Sequence, residues 1–194
     1  MSLEHILLGC LKSPASGYDL KAYFDQNVRA FWSAELSQIY PALKRMEQRG
    51  LLASHEEPSR KGPARRVYTR TAAGREALLR WLTSEPQVGT ERFAYLAQVF
   101  FMAEVDDLAA TRAFLADLRG RMASWTGRLK QIEQEVLAQA GKPPEEFSAD
   151  GLHRFLALRM GIHSVGSKVA WCDEAIAVLD RKLSGTRSSK EHTS

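Results

Sequence analysis

The stretch LSQIYPALKRMEQRGLL, residues 36–52, decides how this chain is read. Ile39, Leu43 and Met46 recur at helical spacing and so share one face of a helix. At about 100° per residue, Gln38, Pro41, Lys44, Arg45 and Gln48 fall on the opposite face, with Tyr40 at its edge. Ser37 reads as the N-cap, and Gly50 as the stop after Arg49. A proline in a helix interior costs about 3 kcal/mol, so the pattern expects the helix to begin near Ser37 with Pro41 close to its first turn. The result is a short helix with an apolar inner face and a polar, cationic outer one.

Upstream, Leu3, Ile6, Leu7, Cys10 and Leu11 predict a helix over Ser2–Lys12, which Ser13-Pro14-Ala15-Ser16-Gly17 breaks. A second helix starts at Ser16 or Gly17 and runs to about Asn27, with Tyr18, Leu20 and Phe24 as packing residues. Phe31 and Trp32 are expected to be bulky anchors. Downstream, Leu51–Glu56 and Arg66–Thr71 read as strands joined by a long turn-rich loop. Thr71 then caps a helix over Ala72–Thr83 that buries Ala77, Leu78, Trp81 and Leu82. The segment Ser84–Gly89 reads as a boundary.

The formal net charge of +4 lies entirely in the first part. Residues 1–85 carry 13 Lys/Arg against 9 Asp/Glu, whereas residues 86–194 carry 14 of each. Ser59–Thr71 holds Arg60, Lys61, Arg65, Arg66 and Arg70 with no acid. Such clustering is the footprint of a polyanion-binding face, although charge runs also serve simply as solvated surface.

After residue 90 the pattern is purely helical. Leu115, Leu118, Met122, Trp125, Leu129, Ile132 and Val136 alternate spacings of three and four, a heptad seam on a long helix from Asp107 to about Ala140. Gly141-Lys142-Pro143-Pro144 ends it, and a final helix from about Ser148 to Leu183 presents Ile162, Val169 and Ile176 among its apolar positions. These seams are expected to form a dimer, the alternative being an intramolecular bundle. The polar tail 186–194 is expected to be disordered.

Three helices, two strands with a basic loop and a further helix make the winged helix-turn-helix plan. The major groove of B-DNA, about 12 Å wide, admits one helix whose outer side chains reach base edges. Gln38 offers an amide that pairs with adenine and Arg45 a fork that pairs with guanine. Ser37, Tyr40 and Lys44 suit phosphates, and Lys61, Arg65 and Arg66 suit the flanking backbone. The same fold also serves protein contacts, so a protein-interaction module stays open on pattern alone.

Three ordered motifs then carry a family resemblance. LEHILLGCLKSPASGYDLKAYF holds Gly17, Tyr18 and Leu20; LSQIYPALKRMEQRGLL is the helix and strand already described; GPARRVYTRTAAGREAL holds Tyr68, Thr71 and Gly74. Together they resemble the N-terminal domain of the PadR family of transcriptional regulators. The long helical second half is similar to the AphA-like, virulence-activator subgroup of that family. The resemblance implies a mainly α homodimer, with a winged helix-turn-helix domain at 1–85 and a helical dimerisation domain at 90–185. It implies binding of pseudo-palindromic double-stranded DNA, usually as a repressor and sometimes as an activator. It carries Ser37, Gln38, Tyr40, Pro41, Lys44, Lys61, Arg65 and Arg66 as DNA contacts, with Tyr18 as a further backbone contact. Arg70 departs from it, standing where the family usually has Leu or Ile.

Enzyme chemistry finds no support: His5, His55, His153, His163 and His192 are scattered, and no nucleophile or phosphate-binding motif occurs. Neither a cofactor nor a metal is expected. Trp125, Met160, His163 and Trp171 are candidates to line a pocket for a small-molecule effector. No apolar run is long enough to cross a membrane, and MSLEHILLGCLKS does not read as a signal peptide. A cytoplasmic protein with two reduced thiols, Cys10 and Cys172, is therefore expected.

Overall fold

The structure is a computed structural model that describes residues 2–28, 31–58, 64–89 and 91–191, with backbone alone for Ser2 and residues 186–191. It divides into two units, Met1–Gly89 and Thr90–Ser194.

In the first unit the elements are α1 (Ser2–Cys10), β1 (Ala15–Ser16), α2 (Gly17–Tyr23), a π-helical turn (Phe24–Val28), α3 (Leu36–Gln48), β2 (Leu52–Glu57), β3 (Arg65–Arg70) and α4 (Ala72–Leu82). The sheet is antiparallel in the order β1-β3-β2, with Ser54 opposite Tyr68 and Glu56 opposite Arg66. Leu7, Leu8, Leu20, Phe24, Ile39, Leu43 and Met46 are buried together in one core, closed by Leu52, Tyr68 and Leu78. The inner face of α3 is thus the one its periodicity requires. Leu82 and Tyr18, expected to pack inward, are exposed, as are the expected anchors Phe31 and Trp32; small Ala34 is the buried residue leading into α3.

Local chemistry fixes the ends of these elements. Ser16 caps α2: its hydroxyl accepts from the Asp19 N–H at 3.2 Å while its own N–H donates to the Asp19 carboxylate at 2.9 Å. After α3, Gly50 adopts φ +71°, its N–H donates to the Glu47 carbonyl at 2.9 Å, and the Leu51 N–H donates to the Met46 carbonyl at 2.9 Å. This pair of bonds closes a helix over a left-handed residue. The Thr71 hydroxyl accepts from the Gly74 N–H at 3.0 Å and donates to the Gly50 carbonyl at 2.8 Å, fastening α4 to the end of α3. A Cβ on Gly74 would run into the Leu51 carbonyl oxygen, so only glycine allows this approach.

Two corrections concern α3. Its N-cap is Glu35, not Ser37, and Pro41 lies inside the helix rather than in its first turn. Proline has no N–H for the Ser37 carbonyl four residues back, but both residues are exposed, so water can serve that oxygen.

The second unit holds α5 (Ala94–Phe101), a 3-10 turn (Met102–Val105), α6 (Leu108–Ala140), a second 3-10 turn (Pro144–Glu146) and α7 (Ala149–Glu191). Helix α7 continues to Glu191, so residues 186–191 of the expected disordered tail are helical; 192–194 lie outside the described residues. Helices α6 and α7 form an antiparallel hairpin. Its register is marked by Arg112 with Asp180, Arg119 with Asp173, and Glu133 with Arg159, steps of whole heptads on each helix. Leu115, Leu118, Leu129 and Ile162 are buried within this one chain, and Met122 and Ile176 pack against the cluster of Leu115, Leu118 and Cys172. The seam expected to join two subunits is therefore occupied by α7 of the same chain, with Ile132, Val136 and Val169 half-buried along it. Periodicity shows that a helix has a partner, not which chain supplies it. Neither Cys10 nor Cys172 is in a disulfide.

Candidate nucleic-acid interface

The outer face of α3 is laid out by the same 100° rotation that buries its inner face. Ser37, Gln38, Tyr40, Pro41, Lys44, Arg45 and Gln48 are all exposed. Lys44, near the middle of this face, has no ion-pair partner among the described residues. Gln38 is less free than expected: its side-chain oxygen accepts from the Glu35 N–H at 3.0 Å, which leaves the amide NH2 to donate. Bidentate pairing with N6 and N7 of an adenine would call on the same oxygen for a second hydrogen bond. Arg45 turns toward α1, where its Nε donates to Glu4 at 3.3 Å beside Arg49, whose Nη1 donates to the same carboxylate at 2.7 Å.

A tyrosine of α2 meets one of α3 at this face. Tyr18, 69% exposed at the start of α2, meets Tyr40, 39% exposed, edge-to-face with ring centroids 6.4 Å apart. Glycine at position 17 makes room for this, because a Cβ there would lie 2.5 Å from the Tyr40 ring. Burial pushes the Tyr40 hydroxyl above the ordinary phenol range, so near neutral pH it stays protonated and can donate to an anion.

At the wing, β2 and β3 pair as far as Glu57 opposite Arg65. Lys61 lies outside the described residues. Arg65 donates from Nη2 to Glu57 at 3.0 Å, and its Nη1 is 3.9 Å from Asp19. The bond from Arg65 and a second from His55 hold the Glu57 carboxyl below its ordinary range. Arg66 turns away from the wing onto Glu47 of α3. Arg70, the departure from the resembled pattern, has a structural role: its Nη1 donates to the Leu8 carbonyl at 2.9 Å. This caps α1, whose last turn has no basic residue of its own.

The structure thus gathers Tyr18, Ser37, Gln38, Tyr40, Pro41, Lys44 and Arg65 on the face made by α2, α3 and the wing root, while the Arg45 side chain turns from it toward Glu4 of α1. The acids that hold the arginines, Glu4, Glu47, Glu57 and Asp19, escaped sequence reading because their partners are distant in sequence. Of the expected effector residues, Trp171 alone packs in the Leu115–Cys172 cluster. It lies near Tyr95, with centroids 6.5 Å apart. Trp125 and Met160 are 38% and 65% exposed, and the exposed His163 meets Arg159 at 3.3 Å. Among the described residues no group of His, Cys, Asp or Glu could hold a metal, and no helix is long and apolar enough to cross a membrane.

Residues 7–80 match the PadR-like transcriptional regulator family, and residues 91–180 match the C-terminal domain of the virulence activator alpha family. The chain carries a PadR-like transcriptional regulator domain followed by a virulence activator alpha C-terminal domain. This PadR-like chain is 28% identical over 181 residues to the negative transcriptional regulator PadR of Bacillus subtilis, covering 92% of this chain and 98% of that one. The Bacillus subtilis PadR solved with operator DNA superposes with a TM-score of 0.77 at 23% identity, covering 92% of this chain and 99% of that one. The Vibrio cholerae virulence activator AphA superposes with a TM-score of 0.71 at 27% identity, covering 93% and 99%. Both units of the PadR-like chain therefore have counterparts, in the same order.

Proposed function

We propose that this chain acts as a homodimer that binds pseudo-palindromic double-stranded DNA, with α3 in the major groove and the wing on the flanking backbone. The observation that carries the reading is the exposed outer face of α3, on which Lys44 is unpaired among the described residues, bordered by Tyr18 and Arg65. In this reading Gln38 reads a base edge, as does Arg45 once it leaves Glu4, while Ser37, Tyr40, Lys44 and, on leaving Glu57, Arg65 position the protein on phosphates, Pro41 packs against the groove wall and Tyr18 touches the backbone. The Bacillus subtilis relative solved with operator DNA supports DNA binding by analogy. For the homodimer, the support is a set of exposed apolar side chains in the second unit, Leu96, Phe100, Phe101, Val105 and Leu108, rather than the Leu115–Val136 seam. Two copies would set two recognition helices about 34 Å apart, one turn of DNA.

The test is equilibrium binding to DNA upstream of the chain's own coding sequence. Lys44→Ala should weaken all DNA binding and make the salt slope shallower by about 0.9, the loss of one phosphate contact. Gln38→Ala should relax preference at a single base position. Unchanged binding in both variants would favour a winged-helix unit that contacts protein instead. The dimer predicts a solution mass of twice 21.7 kDa.

A further inference from the structure

Between α3 and the wing lies a side-chain network that the operator reading leaves without a role. Glu47 stands on the flank of α3, two turns beyond Tyr40 on the same side. The Ser54 hydroxyl of β2 donates to Glu47 Oε1 at 2.6 Å. Arg66 of β3 donates from Nη2 to both Glu47 oxygens at 2.9 Å and from Nε to Ser54 Oγ at 2.7 Å. Its guanidinium carbon also sits 5.9 Å from the centroid of the Tyr68 ring. Three elements, α3, β2 and β3, meet in this closed set of bonds. The Ser54 hydroxyl first and the Arg66 guanidinium second hold the Glu47 carboxyl below its ordinary range, so it is charged near neutral pH.

An arginine so engaged differs from Lys44. Its charge is matched by Glu47, and it would have to leave these bonds to neutralise a phosphate and release a counterion. Two elements must fit DNA at once, the helix in its groove and the wing on its backbone. The bonds from Glu47 fix one relative to the other.

We propose that Glu47 is a positioning residue that ties the recognition helix to the wing, holding Arg66 as a brace rather than as a phosphate contact. The brace raises discrimination in two ways. It presents helix and wing in one relative geometry, so DNA that fits both is favoured without a cost of ordering. It also withholds one cation from the sequence-independent contacts that drive non-specific binding.

The inference rests on the DNA-binding reading above, and the test separates the two. The full-length protein is titrated by fluorescence anisotropy at several salt concentrations against two duplexes. One is enriched from a random library by the wild-type protein; the other is its scrambled equivalent. Glu47→Gln frees Arg66: affinity for the scrambled duplex rises, the salt slope steepens by about 0.9, and the ratio between duplexes falls. In Glu47→Gln/Arg66→Gln the slope returns to the wild-type value while the ratio stays low. Arg66→Gln alone leaves the slope in place and weakens both duplexes, because Glu47 is left uncompensated beside the phosphates. Equal losses on both duplexes at constant slope in Glu47→Gln would overturn the inference, as would a slope shallower by about 0.9 in Arg66→Gln. A melting temperature for Glu47→Gln close to wild type excludes a folding defect as the cause; a large drop moves the comparison to Ser54→Ala, which opens the same network and must lower the ratio. A wild-type protein that enriches no sequence and shows no salt dependence would overturn the DNA reading and this inference together.

Discussion

Glycine to alanine within a helix is ordinarily stabilising by about 0.5–1 kcal/mol, because alanine loses less conformational freedom on folding. At Gly74 the sign should reverse. The new methyl would enter the carbonyl oxygen of Leu51, a backbone atom held on both sides. The Leu51 N–H donates to Met46 at 2.9 Å, and its carbonyl accepts from the Thr71 N–H at 3.2 Å. Relief requires moving α4 off the junction of α3 and β2. Such overpacking costs about 1–3 kcal/mol, and a loosened backbone hydrogen bond about 1 more. Set against the propensity gain, Gly74→Ala should lose about 1–3 kcal/mol. For a unit of this size each kcal/mol lowers the melting temperature by about 4–8 °C. Gly120 in α6 is the matched control, since a Cβ there meets nothing within 4 Å and its substitution should be neutral or stabilising. Differential scanning calorimetry of the full chain reads both. A Gly74→Ala protein that melts at or above wild type would refute the packing argument.

Arg70→Ala should destabilise the first unit by about 1 kcal/mol by uncapping α1 while leaving the salt slope of DNA binding unchanged; a shallower slope at unchanged stability would place Arg70 on DNA instead. The Ser16 N–H, then its hydroxyl, hold the Asp19 carboxyl below its ordinary range. A folded pKa below the unfolded one means stability that is present above the usual carboxylate range and lost as pH falls through the folded value. Urea midpoints should therefore drop on acidification below about pH 4, and less steeply in Asp19→Asn; parallel pH profiles would contradict the cap. In the hairpin, Arg119→Asp should destabilise, and Arg119→Asp/Asp173→Arg should recover much of the loss in thermal melts. No recovery would mean the register drawn for α6 and α7 is wrong.

What the sequence revealed and what it hid follow from the range of each interaction. The buried face of α3, the stop at Gly50 and the Thr71 cap depend on neighbours within a turn, and they are where local pattern places them. The strands lie within one residue of expectation because the turn-rich loop limits them on one side and Gly50 and Thr71 on the other. Strand β1 escaped notice because two residues carry no periodicity; it exists through pairing with Val67 and Tyr68. Ser37 looked like the better cap by residue type, yet Gln38 bonds back to the Glu35 N–H and moves the start two residues earlier. The arginines were legible as cations but not as partners of Glu4, Glu47 and Glu57, since those pairings form only once the elements are packed. The same limit applies to the Leu115–Val136 seam, whose heptads are real and whose partner is α7.

Hydroxyl-radical footprinting of the duplex enriched by the full-length protein tests the central claim most directly. Two recognition helices of a dimer in successive major grooves predict two protected half-sites on one face of the duplex, with centres about 10 base pairs apart. Protection at a single site, or no protection at concentrations that shift the duplex, would contradict the account.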